Sequence, residues 1–101
     1  MRHFIVEINY TAPMEKISSL VDLHRAFLQA GYDQGMLLMS GPKNPRTGGM
    51  LVARARSLED LERFFDDDPY KLNSSAEYQF IEFEPVKYQQ LIKPWLENSD
   101  L

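Results

Sequence analysis

Cysteine is absent from this 101-residue chain, which excludes disulfides, thiolate metal sites and a cysteine nucleophile, and suits a reducing compartment. Long apolar runs are absent too: no stretch of about 18 apolar residues occurs. The first residues, Met1-Arg2-His3-Phe4, lead straight into an alternating pattern instead of a signal sequence. These absences predict a cytoplasmic protein, neither secreted nor inserted in a membrane. Basic charge is scarce, with 11 Lys and Arg against 15 Asp and Glu, a net charge of −4 and a pI near 5.1. Such a chain has no domain-wide positive field with which to displace counterions from phosphates, so nucleic acid is not an expected partner. Histidine is limited to two positions, and no spacing of His, Asp and Glu reads as a metal site. Neither a G-x-S-x-G elbow nor a glycine-rich phosphate loop is present.

The balance that remains, 44% hydrophobic and 26% charged, is that of a chain that folds rather than one that stays disordered. Its length suits one hydrophobic core, which predicts a single domain over residues 1–101, with no internal repeat and no linker.

From His3 to Tyr10 the pattern alternates, with Phe4, Val6, Ile8 and Tyr10 on one face and His3, Glu7 and Asn9 on the other; this is a first strand. Met14, Ile17, Leu20, Val21, His24, Phe27, Leu28 and Gly31 then recur at threes and fours, the stripe of an amphipathic helix. Gly31 or Gly35 can end it. Met36 to Ser40 and Met50 to Arg56 read as two strands of a hairpin around a loop rich in glycine and proline. Ser57 is the expected N-cap of a second helix, with Asp60 placed for a reciprocal contact and Leu58, Leu61, Phe64 and Phe65 as its stripe. Pro69 ends that helix around Asp67 or Asp68. A turn at Asn73-Ser74-Ser75 leads into a fourth strand, Glu77 to Glu84.

The order β-α-β-β-α-β is that of the ferredoxin-like split βαβ motif, an α+β fold with four antiparallel strands and two helices on one face. The core spans residues 3–84. The other sheet face needs a cover, and a second copy of the chain is the simplest, so a homodimer through the open sheet face is expected. A C-terminal extension over 86–96 puts Tyr88, Leu91, Ile92 and Trp95 on one helical stripe, which can lie across that dimer or across its own sheet.

His24 occupies the middle of the first helix's apolar stripe, where a desolvated imidazole needs a partner. An ordinary core histidine satisfied by a backbone or hydroxyl group is one reading. The other draws on the acidic run Asp66-Asp67-Asp68 at the end of the second helix: a carboxylate there can reach across to the first helix, fix the imidazole's tautomer and raise its basicity. Lys43 and Arg46, in the hairpin loop, are positioned either to grip an anion or simply to be solvated.

Three features taken in order resemble the YCII-related (YciI-like) proteins of the dimeric α+β barrel superfamily: His24 inside the first helix; Leu37-Leu38-Met39-Ser40-Gly41-Pro42 at the second strand; and Asp68-Pro69-Tyr70 after the second helix. The resemblance covers about Phe4 to Glu84. It implies a catalytic dyad of His24 and Asp68, with Ser40, Gly41 and Tyr70 lining a substrate pocket and no metal or organic cofactor. The chain departs from that pattern at Val21, where relatives often carry arginine, and in continuing through Trp95. By analogy with superfamily members such as muconolactone isomerases, the resemblance implies a lyase or isomerase acting on a small organic molecule. The competing expectation is a non-catalytic dimeric module that binds a small ligand or a protein, with His24 a core residue.

Overall fold

The computed structural model describes residues 1–100. Its first strand, β1 (Arg2–Tyr10), is followed by α1 (Met14–Asp33), β2 (Leu37–Pro42), β3 (Gly48–Ala55), α2 (Leu58–Phe65), the one-turn helix α3 (Pro69–Leu72) and β4 (Ala76–Phe83). A 3₁₀ turn (Gln90–Ile92) and a short helix α4 (Lys93–Glu97) close the described chain. The strands form one antiparallel sheet in the order β2-β3-β1-β4, which is the ferredoxin-like α+β arrangement expected from the order of elements.

Alternation along β1 sends Phe4, Val6 and Ile8 into the core beneath the helices, where none is more than 1% exposed. Their cross-strand neighbours Ala53 and Leu51 on β3 lie on the same face and complete the floor with Ile17, Leu28, Leu61 and Phe65 from the helices. Burial of such side chains contributes about 1.5–3 kcal/mol each. Gly48 has a steric role in this sheet. A Cβ built there would sit 1.7 Å from the Ile8 carbonyl oxygen, so only glycine lets β3 begin its pairing with β1.

Helix α1 runs past Gly31 and stops at Asp33; Gly35, at φ +77°, makes the reversal. Gly31 instead lies buried inside the helix, where its missing Cβ makes room for Leu37 and Phe64. Ser57 caps α2 as expected, its hydroxyl accepting from the Asp60 amide at 3.1 Å. The reciprocal contact from Asp60 is replaced: its carboxylate accepts from Arg63 at 3.2 Å.

The C-terminal extension differs most from expectation. The stripe read through Tyr88, Leu91, Ile92 and Trp95 spans Pro94, which has no N–H to give a helix interior and instead sits in the first turn of α4. Leu91 is therefore 81% exposed, Tyr88 and Ile92 are half-buried, and Trp95 docks through specific contacts. Its indole N–H donates to the Gly35 carbonyl at 2.9 Å, and its ring meets His3 edge-on at 5.8 Å and the Arg54 guanidinium at 5.2 Å.

Arg54 is 2% exposed and lies on the sheet face away from the helices, opposite His3. It donates to the carbonyls of Gly35, Trp95, Asn98 and Asp100. Of the two placements open in the sequence, the extension thus lies across its own sheet. It covers only part of that face: Ile5 and Val52 are half-buried, and Met39, Met50, Ile81 and Phe83 remain 40–59% exposed. No helix among the described residues is long and apolar enough to cross a membrane.

Candidate active site

Asp68 is where the site is assembled. As the residue before a proline it is held extended, at φ −63° and ψ 128°, and it is the N-cap of α3, its Oδ1 accepting from the Tyr70 amide at 3.1 Å. The three acids of the run separate by role. Asp66 pairs with Lys71, Asp67 is exposed, and Asp68 is fully buried.

Burying a carboxylate is costly unless its oxygens are occupied, and here they are. Oδ1 also meets Nδ1 of His24 at 2.8 Å, and Oδ2 accepts from the Tyr78 hydroxyl at 2.6 Å. Because the amide and the phenol are both donors, the carboxylate serves as acceptor, which assigns the ring proton to Nδ1 of His24. Burial, and then the bond to Asp68, push the Tyr78 phenol far above its ordinary range, so it remains a donor at all physiological pH.

The ring of His24 lies flat against Tyr70, with centroids 4.1 Å apart and planes 20° from parallel. Two constraints, the carboxylate at Nδ1 and the phenol on the ring face, therefore fix the imidazole's orientation. Its side chain is 12% exposed, and Nε2 makes no hydrogen bond among the described residues. The ring lines a cavity of about 80 Å³ between α1, the sheet and α3, whose apolar floor includes Ile8, Leu28 and Leu51.

Ser40, Gly41 and Tyr70 line the same cavity as His24, and Asp68, the fifth residue singled out in the sequence, lies behind it against His24. The Ser40 hydroxyl shares a hydrogen bond with the Tyr32 hydroxyl at 2.6 Å. A Cβ at Gly41 would meet nothing within 4 Å, so that wall is open. Burial pushes the Tyr70 hydroxyl up to about 12, reinforced by Tyr10 and opposed by the Arg46 charge. Of the two hairpin cations, Arg46 stands at the cavity, while Lys43 turns to the open sheet face and binds Glu7 at 3.1 Å and Asn9 at 2.7 Å.

Sequence reasoning missed Tyr78, whose place in the fourth strand suits the core or a dimer surface, and Arg25, which directly follows His24 and lines the cavity. The signal for Tyr78 was its strand parity: it shares a face with Phe80 and so points toward the helices. Among the described residues no three His, Asp or Glu side chains are grouped to hold a metal ion.

A family model described as a YCII-related domain matches residues 1–84, a stretch that holds all five of these residues. No curated protein matches the chain in sequence. Among solved structures, the chain is similar to the 5-chloro-2-hydroxyhydroquinone dehydrochlorinase TftG of Burkholderia phenoliruptrix AC1100, in complex with 2,5-dihydroxybenzoquinone. The TM-score is 0.67 at 18% identity, over 90% of this chain and 98% of that one. At that identity the likeness establishes the fold.

Proposed function

The chain belongs to the YCII-related family, and from that premise we propose that it is a small-molecule enzyme of lyase or isomerase type, in which His24 moves a proton. Nε2 of His24 is the general base or acid. Asp68 is a positioning residue that holds the proton on Nδ1 and stabilises the imidazolium that forms when Nε2 takes a second proton. Tyr78 and the Tyr70 amide hold Asp68 in turn. The observation that carries this reading is the 2.8 Å contact between Nδ1 and a carboxylate without solvent exposure, beside a cavity that the other ring edge can serve.

Dehydrochlorination, the named activity of the similar structure, takes both a proton and chloride from its substrate. Proton removal by a positioned base is the part of such chemistry that this arrangement supports. It needs no metal or organic cofactor, in keeping with the family resemblance. The cavity is well below the roughly 300–1,000 Å³ of drug-sized sites, which favours a small substrate such as a single substituted ring. Ser40, Gly41 and Tyr70 contact that substrate.

The assembly belongs to the same proposal. Ile5, Met39, Met50, Val52, Ile81 and Phe83 form an apolar surface on the sheet face that the extension leaves uncovered, and a second copy of the chain covers it. A dimer mass by light scattering supports this; a monomer at micromolar concentration rejects it.

The catalytic role is tested with His24→Gln and Asp68→Asn, assayed on small ring compounds with acidic carbon-bound protons, using solvent-deuterium incorporation as the readout. Exchange by the native protein that disappears in His24→Gln, with an unchanged melting temperature, supports the proposal. Exchange that survives in His24→Gln rejects it and leaves a ligand-binding module.

A further inference from the structure

The cavity beside His24 also has a charge. Arg25 on α1 and Arg46 in the β2–β3 hairpin both line it, both are exposed, and among the described residues neither forms an ion pair or a side-chain hydrogen bond. Asp68 lies behind His24, is not part of the cavity lining, and forms no ion pair with either arginine. Among the described residues no carboxylate lines the cavity. The result is a cavity with an apolar floor and two guanidinium groups that no carboxylate pairs among the described residues, lined also by Tyr70 and Ser40.

Resting on the reading of this cavity as a substrate site, we propose that its ligand is an anion, a small ring bearing a carboxylate or an ionised phenol, whose charge is received by Arg25 and Arg46. Guanidinium groups present paired N–H donors in a plane that matches a carboxylate. The ring packs on Ile8, Leu28 and Leu51, while the charged group stays at the mouth, where the arginines are. An amine finds no carboxylate here to receive it. A cation at the mouth also favours the enolate-like charge that develops when a base removes a proton beside a carbonyl, so the same two residues serve both binding and the proposed chemistry.

The probes are benzoate and benzamide, which share a shape and differ in charge, titrated into the full chain and followed by amide and imidazole NMR shifts. Benzoate is expected to move the His24 ring and Gly41 signals and to bind at least about tenfold more tightly than benzamide. That advantage is expected to disappear in the Arg25→Gln/Arg46→Gln double variant. Both positions are exposed, and an unchanged melting temperature verifies that this variant is folded. Equal affinity for the two probes, no response to benzoate at its solubility limit, or an advantage that survives in the double variant overturns the proposal.

The underlying site reading fails separately. Arginine-dependent benzoate binding in a protein whose exchange activity survives His24→Gln keeps the anion site and removes the catalyst. Absent anion preference beside exchange that depends on His24 does the reverse.

Discussion

His24 and Tyr70 lie stacked at 4.1 Å, and the backbone amide of Tyr70 donates to the same carboxylate oxygen that meets Nδ1 of His24. One residue thus supplies both the surface on which the imidazole rests and a donor that orients the imidazole's partner. Substitution leaves the amide in place and separates the ring of Tyr70 from its hydroxyl.

Replacing Tyr70 with Phe keeps the ring and the amide, and should change stability by about 1 kcal/mol or less while removing the hydroxyl from the cavity. Replacing it with Ala removes a side chain that is 1% exposed, at an expected cost of about 3–5 kcal/mol. Urea unfolding measures both. Equal losses in the two variants would mean that the hydroxyl, not the stack, holds this region together.

Tyr78→Phe deletes the donor to Oδ2 of a fully buried carboxylate and should cost about 1.5–3 kcal/mol, the range for a hydrogen bond to a charged group. Asp68→Asn should cost a similar amount, because an amide cannot accept from all three donors without turning its own NH₂ group toward one of them. A Tyr78→Phe protein as stable as the native one would show that Asp68 does not depend on the phenol.

Much of this arrangement was legible in the sequence. The stripe from Ile17 to Leu28 put His24 on the inner side of the first helix, and the Asp68-Pro69 pair fixed a break in the chain, since a residue before proline is pushed out of helical geometry. Local periodicity and turn chemistry carried those inferences. The role of Tyr78 depends on two elements meeting in space, and a strand's parity gives a side chain's direction but not its partner. The C-terminal extension misled because hydrophobic spacing continued through Pro94, whose ring limits where a helix can run whatever the spacing says.

The docking of that extension makes its own prediction. Trp95 is the single tryptophan of the chain, held by Gly35 and covered by Arg54, so its fluorescence reports the contact. Arg54→Leu removes the donors to the carbonyls of Trp95, Asn98 and Asp100. It should shift the emission to the red and open the segment after Phe83 to proteolysis. An unchanged emission would show that packing of the indole alone holds the extension.

His3 gives the fold a pH dependence. Burial is the main cause holding it below its ordinary value of 6.5, with the N-terminal ammonium and Arg54 adding to the effect and a backbone hydrogen bond with Leu96 opposing it, and its Nε2 is buried without a partner among the described residues. The folded state therefore keeps this ring neutral where the unfolded chain takes up a proton. The stability associated with it is complete above pH 6.5 and declines as pH falls below that value. Urea midpoints measured from about pH 8 to pH 5 should show this decline, and His3→Gln should reduce its slope. An identical slope in the variant would assign the decline to other groups.

The central claim is that the imidazole of His24 keeps its single proton on Nδ1, held there by Asp68, with Nε2 free to face the cavity. Nitrogen-15 NMR of the neutral His24 ring reads this directly. The expected result is a protonated Nδ1 with a low-field proton that moves when Asp68 becomes Asn, beside an unprotonated Nε2. A proton found on Nε2 of the neutral ring would contradict the account.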